Sequence, residues 1–244
     1  MKHAIWIGIV TAATSGACKK TSGGAGGGEG GKPNLPPEIS AWMPKDATAG
    51  WEGAWSTRLS LAMSGRISMS GDPAALEIKG AKAKAFDGTK DHDLGFAIAS
   101  PCTVNFTRKT TLGGMAGTET MTKQYVVKDG KVLIGDGAAG YRKDKTAMVC
   151  ASSSMDGYYI VSDKGCTQFK DKFGKLESAA AKCAWSNEGG KDVLTLGEGD
   201  WNTKVIADGD LLQSEQFAEA TAKSLKTASF DEAKAKVAAL LKSK

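Results

Sequence analysis

From Trp51 onward the chain alternates with a period of two. Trp55, Thr57, Leu59, Leu61 and Met63 hold one phase, while Ser56, Arg58, Ser60 and Ala62 hold the other. Such alternation turns one face of a strand to a core and the other to water. The pattern recurs in Leu76/Ile78, in Leu94/Phe96/Ile98 and in Cys102/Val104/Phe106. Turn signals separate these runs: Asp87-Gly88, Asp129-Gly130, Asp156-Gly157, Asn187-Glu188-Gly189-Gly190 and Asp208-Gly209. The clearest hairpin is Gln124–Lys128, Asp129-Gly130, then Lys131–Ile134, because a type I′ turn needs positive φ at both central residues and Asp-Gly tolerates it. About ten to twelve short strands joined by short loops are expected, which predicts a mainly β fold, an antiparallel up-and-down barrel or a sandwich.

Near the end the period becomes helical. Ser214 reads as the cap of a helix running through Phe217 and Leu225, and Ser229-Phe230-Asp231-Glu232 matches a capping box for a second. In that last helix Phe230, Ala233, Val237, Leu240 and Leu241 share one face, while its lysines concentrate toward the C-terminus as the helix dipole favours. These amphipathic helices, within segment 214–242, are expected to dock on the β body. Pro36 to Pro44 reads as one or two helical turns opened by proline.

The N-terminus has a different character. Lys2 and His3 precede a short apolar stretch, Ala4–Ala13, and Thr14-Ser15-Gly16-Ala17 ends it in small residues before Cys18. The apolar run is about half of the ~20 residues that a spanning helix needs, so residues 1–17 read as a signal peptide. Residues 18–36 follow with seven glycines and almost nothing apolar. Such a segment is a flexible tether with a reach of roughly 25 Å. Residues 37–244 form a single β-rich domain in this reading.

Small residues directly before Cys18 resemble the lipobox of bacterial lipoproteins, although Ser15 stands where that family usually carries leucine. The resemblance implies that Cys18 receives a diacylglyceryl thioether, becomes the mature N-terminus and, once triacylated with palmitate-type chains, anchors the chain to a membrane. Lys19 is not the aspartate associated with inner-membrane retention in that class, which implies the outer membrane of a cell envelope, facing either the periplasm or the surface. An ordinary secretory signal cleaved near Ala17 is the alternative. Gly53-Ala54-Trp55 at the head of the first strand, with up-and-down strands and a C-terminal helix, also resembles a lipocalin. That family is an eight-stranded barrel holding an apolar ligand, with a Gly-x-Trp motif at its base. More candidate strands than eight, and no Thr-Asp-Tyr motif, separate this chain from its pattern.

Five cysteines in 244 residues divide under this reading into one for lipid, Cys18, and four for disulfides: Cys102, Cys150, Cys166 and Cys183. Three connectivities exist. Cys102 with Cys150 and Cys166 with Cys183 is preferred because each pair would staple nearby antiparallel segments, but the sequence leaves the other two open. A four-cysteine metal site has no Cys-x-x-Cys pair to start from, so no metal and no cofactor are expected.

Catalytic patterns are sparse. Once His3 leaves with the signal, His92 is the sole histidine, and Asp91-His92-Asp93 reads as a solvated loop whose neighbouring side chains point in opposite directions. Gly135-Asp136-Gly137-Ala138-Ala139-Gly140 matches Gly-x-Gly-x-x-Gly, but a strand and not a helix follows it, so no nucleotide is expected. The net charge of +5 rests on 28 lysines and only 4 arginines, and the lysines scatter, which argues against nucleic acid as a partner. No enzyme is expected. Two functions lead: a carrier of an apolar small molecule or lipid, with a cavity lined by Leu59, Leu61, Phe96 and Val104, or a structural or protein-interaction module of the envelope with a solid core. A hydrolase is the third class, and it would place His92 beside a pocket acid or nucleophile.

Overall fold

The computed structural model describes residues 35–45, 50–57, 73–112, 115–151, 157–172, 175–199 and 202–243. Residues 1–34, with the expected signal peptide, Cys18 and most of the expected tether, lie outside these residues, as do Leu59, Leu61, Met63 and Asp156. The described chain opens on a short helix, α1 (Pro37–Ser40), with proline in its first turn and Ile39 fully buried. Seven strands follow: β1 (Gly53–Thr57), β2 (Ala74–Lys79), β3 (Lys82–Phe86), β4 (Asp91–Ser100), β5 (Thr103–Leu112), β6 (Met115–Lys128) and β7 (Lys131–Gly135). Then come β8 (Ala139–Lys143), β9 (Thr146–Ala151), β10 (Gly157–Ser162), β11 (Gly165–Lys172), β12 (Lys175–Ala181), β13 (Cys183–Glu188), β14 (Lys191–Leu196), β15 (Thr203–Asp208) and β16 (Leu211–Gln213). The chain ends with α2 (Glu215–Ala222), β17 (Leu225–Thr227) and α3 (Phe230–Lys242).

These strands make two antiparallel sheets, each curled into a half-barrel, so the fold is mainly β as the alternation predicts. The first sheet has the order β17-β1-β2-β3-β4-β5-β6-β7, and the second β12-β11-β10-β9-β8-β16-β15-β14-β13. In the second sheet the two edge strands, β12 and β13, are separated in sequence by Lys182 alone, so the sheet must curl until its edges meet at that residue. Seventeen strands among the described residues exceed the expected ten to twelve. The additional ones include β16 and β17, which at three residues each are too short to show an alternation.

Local chemistry accounts for the joints. Asp129 and Gly130 both have positive φ, 51° and 70°, and connect the paired residues Lys128 and Lys131, as a type I′ hairpin requires. Ser214 caps α2 by accepting from the Phe217 N–H, and Ser229 caps α3 by accepting from the Glu232 N–H. The first of these helices does not reach Leu225. That residue lies in β17, which pairs with β1 through Leu225↔Ser56, so the free edge of β1 competes successfully with continuation of the helix.

Each half-barrel has its own interior. Trp51, Trp55, Leu76, Ile78, Leu94, Phe96, Val104, Phe106, Met121, Tyr125 and Ile134 fill the first. Val149, Tyr159, Val161, Leu194, Leu196, Val205 and Leu212 fill the second. The outer face of the second sheet is covered as well, with Met148, Cys150 and Phe169 packing against Ile39 of α1 and against Cys102. Strand β9 is therefore buried on both faces, which explains its unbroken apolar run Ala147–Ala151. Ala233 and Val237 of α3 pack on Ala54 and Ala75 outside the first sheet, with Phe230 beside them, while Leu240 and Leu241 of the expected stripe stay exposed.

The Gly-x-Gly-x-x-Gly run has a packing role. A Cβ at Gly137 would lie 2.6 Å from Ser214 Oγ, and one at Gly140 would lie 2.0 Å from the Met148 carbonyl oxygen. The glycines let α2 and β9 approach the backbone, and β8 follows where a nucleotide fold would place a helix.

Candidate functional site

Alternation along β4, β5 and β6 puts charged residues on the same face as the apolar interior. His92 is in phase with Leu94 and Phe96, Arg108 with Val104 and Phe106, and Glu119 and Lys123 with Met121 and Tyr125. Asp136 follows β7 in phase with Val132 and Ile134. The register sets Arg108 opposite Glu119, Phe106 opposite Met121 and Val104 opposite Lys123. One end of the first half-barrel is thus lined with ionisable groups, and the middle is aromatic.

These groups interlock. Asp87 sits in the β3–β4 turn, where Oδ1 accepts from the Thr89 N–H at 2.8 Å, the Thr89 hydroxyl at 2.6 Å and the Lys90 N–H at 3.0 Å. Its Oδ2 lies 2.9 Å from His92 Nε2. On the far side of the imidazole, Arg108 Nη1 is 3.4 Å from Nδ1, and Arg108 Nη2 reaches Glu119 Oε2 at 3.1 Å. Burial opposes ionisation of the Asp87 carboxyl, but the hydrogen bonds from the Thr89 side chain, His92 and the two N–H groups outweigh it. They hold the carboxyl well below the ordinary carboxylate range. Lys123 Nζ meets Asp136 Oδ1 at 2.5 Å, with side chains only 8% and 17% exposed. A buried pair of this kind gains little net stability over apolar packing, although losing one partner is costly.

His92 is therefore placed in a strand and not on a solvated loop. The flanking Asp91 and Asp93 belong to the opposite phase, which hides its membership of the interior face. Chemically the array is a closed one. Guanidinium can only donate, so Nδ1 accepts from Arg108 and the Nε2 proton points at Asp87. No ring nitrogen is left to take a proton from a hydroxyl, and the nearby Thr89 hydroxyl donates to Asp87 instead of to the histidine. The order needed for base-activated attack, with a hydroxyl against the imidazole and a carboxylate behind it, is not the order found among the described residues.

The interior beneath this array is occupied. The Trp51 ring centroid lies 4.9 Å from both the Phe96 and the Tyr125 rings, and Phe96 lies 5.6 Å from Phe106. Val104 is fully buried in the same cluster, and the Tyr125 hydroxyl donates to the Ser100 carbonyl at 3.1 Å. Trp55 packs at the wall of this cluster with Lys226 Nζ 5.4 Å from its ring centroid. No protein-family model, no curated protein and no solved structure matches this chain.

The four cysteines pair as Cys102–Cys150 and Cys166–Cys183, with Cα separations of 5.9 Å and 5.7 Å. The first bond ties the β4–β5 turn of one half-barrel to β9 of the other. The second spans the place where β12 and β13 meet. Beside it lies an open cavity of about 640 Å³ lined by Val161, Ala181, Lys182, Trp185 and Glu198. A more enclosed cavity of about 400 Å³ lies between the two edges of the first sheet, where Trp55, Ile134, Lys131, Thr221, Ser224 and Lys226 meet. Among the described residues no three His, Cys, Asp or Glu side chains converge as a metal would require, and no helix is long and apolar enough to cross a membrane.

Proposed function

We propose that this chain is a lipid-anchored protein of a bacterial cell envelope, held at the outer membrane through Cys18, that acts without catalysis as a structural or protein-interaction module. The observation that carries this reading is the packing of Trp51 against Phe96 and Tyr125, which fills the space that a carrier would leave empty. Two disulfides fit an oxidising compartment, as expected for an exported domain. The engaged state of both His92 nitrogens supports the absence of acid–base chemistry.

Two measurements test the proposal. Full-length protein expressed in a bacterium should partition with membranes, and Cys18→Ala should release it; continued membrane association of the variant refutes the anchor. An uncharged naphthylamine probe should show no saturable binding to the purified chain. Stoichiometric uptake of that probe, abolished by narrowing the interior at Val104 with Val104→Phe, would establish the lipocalin-like carrier instead.

A further inference from the structure

Among the described residues the first sheet is not closed: β7 is paired only with β6, and β17 only with β1. The cavity of about 400 Å³ lies in the gap between these two edges, beside the packed interior and not within it. Its floor is apolar, with Trp55 and Ile134 buried and Val132 and Leu133 half-buried. Its rim carries Lys131 and Lys226, both exposed, and among the described residues no carboxylate contributes to the lining. Neither lysine has a carboxylate partner among the described residues.

The hydroxyls at the site are already committed. Thr221 donates to the Ala218 carbonyl at 3.1 Å and Ser224 to the Ala220 carbonyl at 3.0 Å. The lysine ammonium groups are then the side-chain donors left for a ligand. Lys226 is also held in position. Its Nζ lies 5.4 Å from the Trp55 ring centroid, and a Cβ at Gly53 would come within 2.7 Å of its Cε. The glycine of Gly53-Ala54-Trp55 therefore clears a path for the Lys226 stem across β1, and the tryptophan receives its charge. A floor for an apolar body and a rim of two cations select one chemistry.

We infer that this seam binds an anionic amphiphile, with its carboxylate or phosphate between Lys131 and Lys226 and its apolar body over Trp55 and Ile134. The size of the cavity falls in the range of small-molecule sites. Free carboxylates and anionic lipids share this chemistry.

The test uses the full-length chain carrying Cys18→Ser, which removes any lipid of its own. Calorimetric titration with dodecanoate below its micellar range should show one site per chain, and dodecanol or dodecyltrimethylammonium should bind at least tenfold more weakly. Lys131→Gln and Lys226→Gln should each weaken dodecanoate binding roughly fivefold, the effect of an exposed ion pair of about 1 kcal/mol. In a parallel arm, flotation with phosphatidylglycerol vesicles against phosphatidylcholine vesicles asks whether the same lysines govern membrane contact. Lysine-dependent binding to dodecanoate assigns a free ligand, and lysine-dependent binding to the anionic vesicles alone assigns a lipid; both support the site. No binding in either arm, or binding unchanged in the doubly substituted chain, overturns it. Both lysines are exposed, so circular dichroism should show the fold intact in every variant. Val104 does not line this cavity and neither lysine belongs to the interior cluster, so Val104→Phe and the lysine variants report on the two proposals separately.

Discussion

The two disulfides should respond differently to reductant, because they differ in exposure and in the loops they close. Cys102 and Cys150 are fully buried, whereas Cys166 and Cys183 are only partly so and border an open cavity. Thiol–disulfide exchange needs direct access of a thiolate to sulfur. In native buffer, dithiothreitol should therefore open Cys166–Cys183 first, with Cys102–Cys150 protected until the chain itself unfolds. The energetic order is the reverse. Sequence separations of 48 and 17 residues correspond to about 4 kcal/mol and about 3 kcal/mol of loop-closure entropy. With a urea slope of roughly 2.5 kcal/mol per molar, Cys102→Ala/Cys150→Ala should lower the unfolding midpoint by roughly 1.5 M. The corresponding change at Cys166/Cys183 should lower it by roughly 1.2 M. The assay is timed alkylation after reductant, read by peptide mass spectrometry, alongside urea titrations of both double variants. Equal labelling of all four cysteines under native conditions would refute the shielding argument, and a larger midpoint loss for the Cys166/Cys183 variant would refute the entropic one.

Other outcomes follow from the polar contacts. Asp87→Asn should destabilise the chain by about 1–3 kcal/mol near neutral pH, since a charged acceptor of several hydrogen bonds is lost. A depressed native pKa stabilises above the unfolded value of about 4, and that stability disappears as pH falls through the lower native value. The gap between parent and variant should therefore narrow only below about pH 4, and a gap that closes between pH 5 and 7 in urea titrations contradicts this. Ser214→Ala should cost at least ~1 kcal/mol, because its buried Oγ accepts from both the Phe217 and the Ala138 N–H groups. Unchanged hydrogen exchange at Phe217 and Ala138 in that variant would count against the cap.

What could be read in the sequence was whatever depends on local chemistry. The Asp129-Gly130 hairpin, the caps at Ser214 and Ser229, and the apolar stripe of α3 all rest on neighbours within a few residues. The division into two half-barrels does not. It depends on pairings such as Leu211↔Tyr141, which join β16 to β8 across the intervening strands. Strand β12 has an exposed, alanine-rich pattern without alternation, and only its partner β11 makes it a strand. The charged end of the first half-barrel was within reach: Arg108 and Lys123 interrupt the inward phase set by Val104/Phe106 and Met121/Tyr125. That interruption is the sign of ionisable groups on an interior face. Asp87 and Asp136 lie in turns, where phase carries no information.

The pairing of β17 with β1 also orders events in time. Thr57 and Ser224 share a hydrogen bond across 167 residues, and β17 forms an edge of the sheet that β1 begins. During synthesis, the second half-barrel has all its strands before α2 emerges, while the first waits with the edge of β1 exposed. Long-range pairing of this kind is slow, and an open edge invites association with other chains. The last residues of this chain thus cover the edge of β1: a truncation after Gln213 would leave the second half-barrel complete and β1 of the first unpaired on one side.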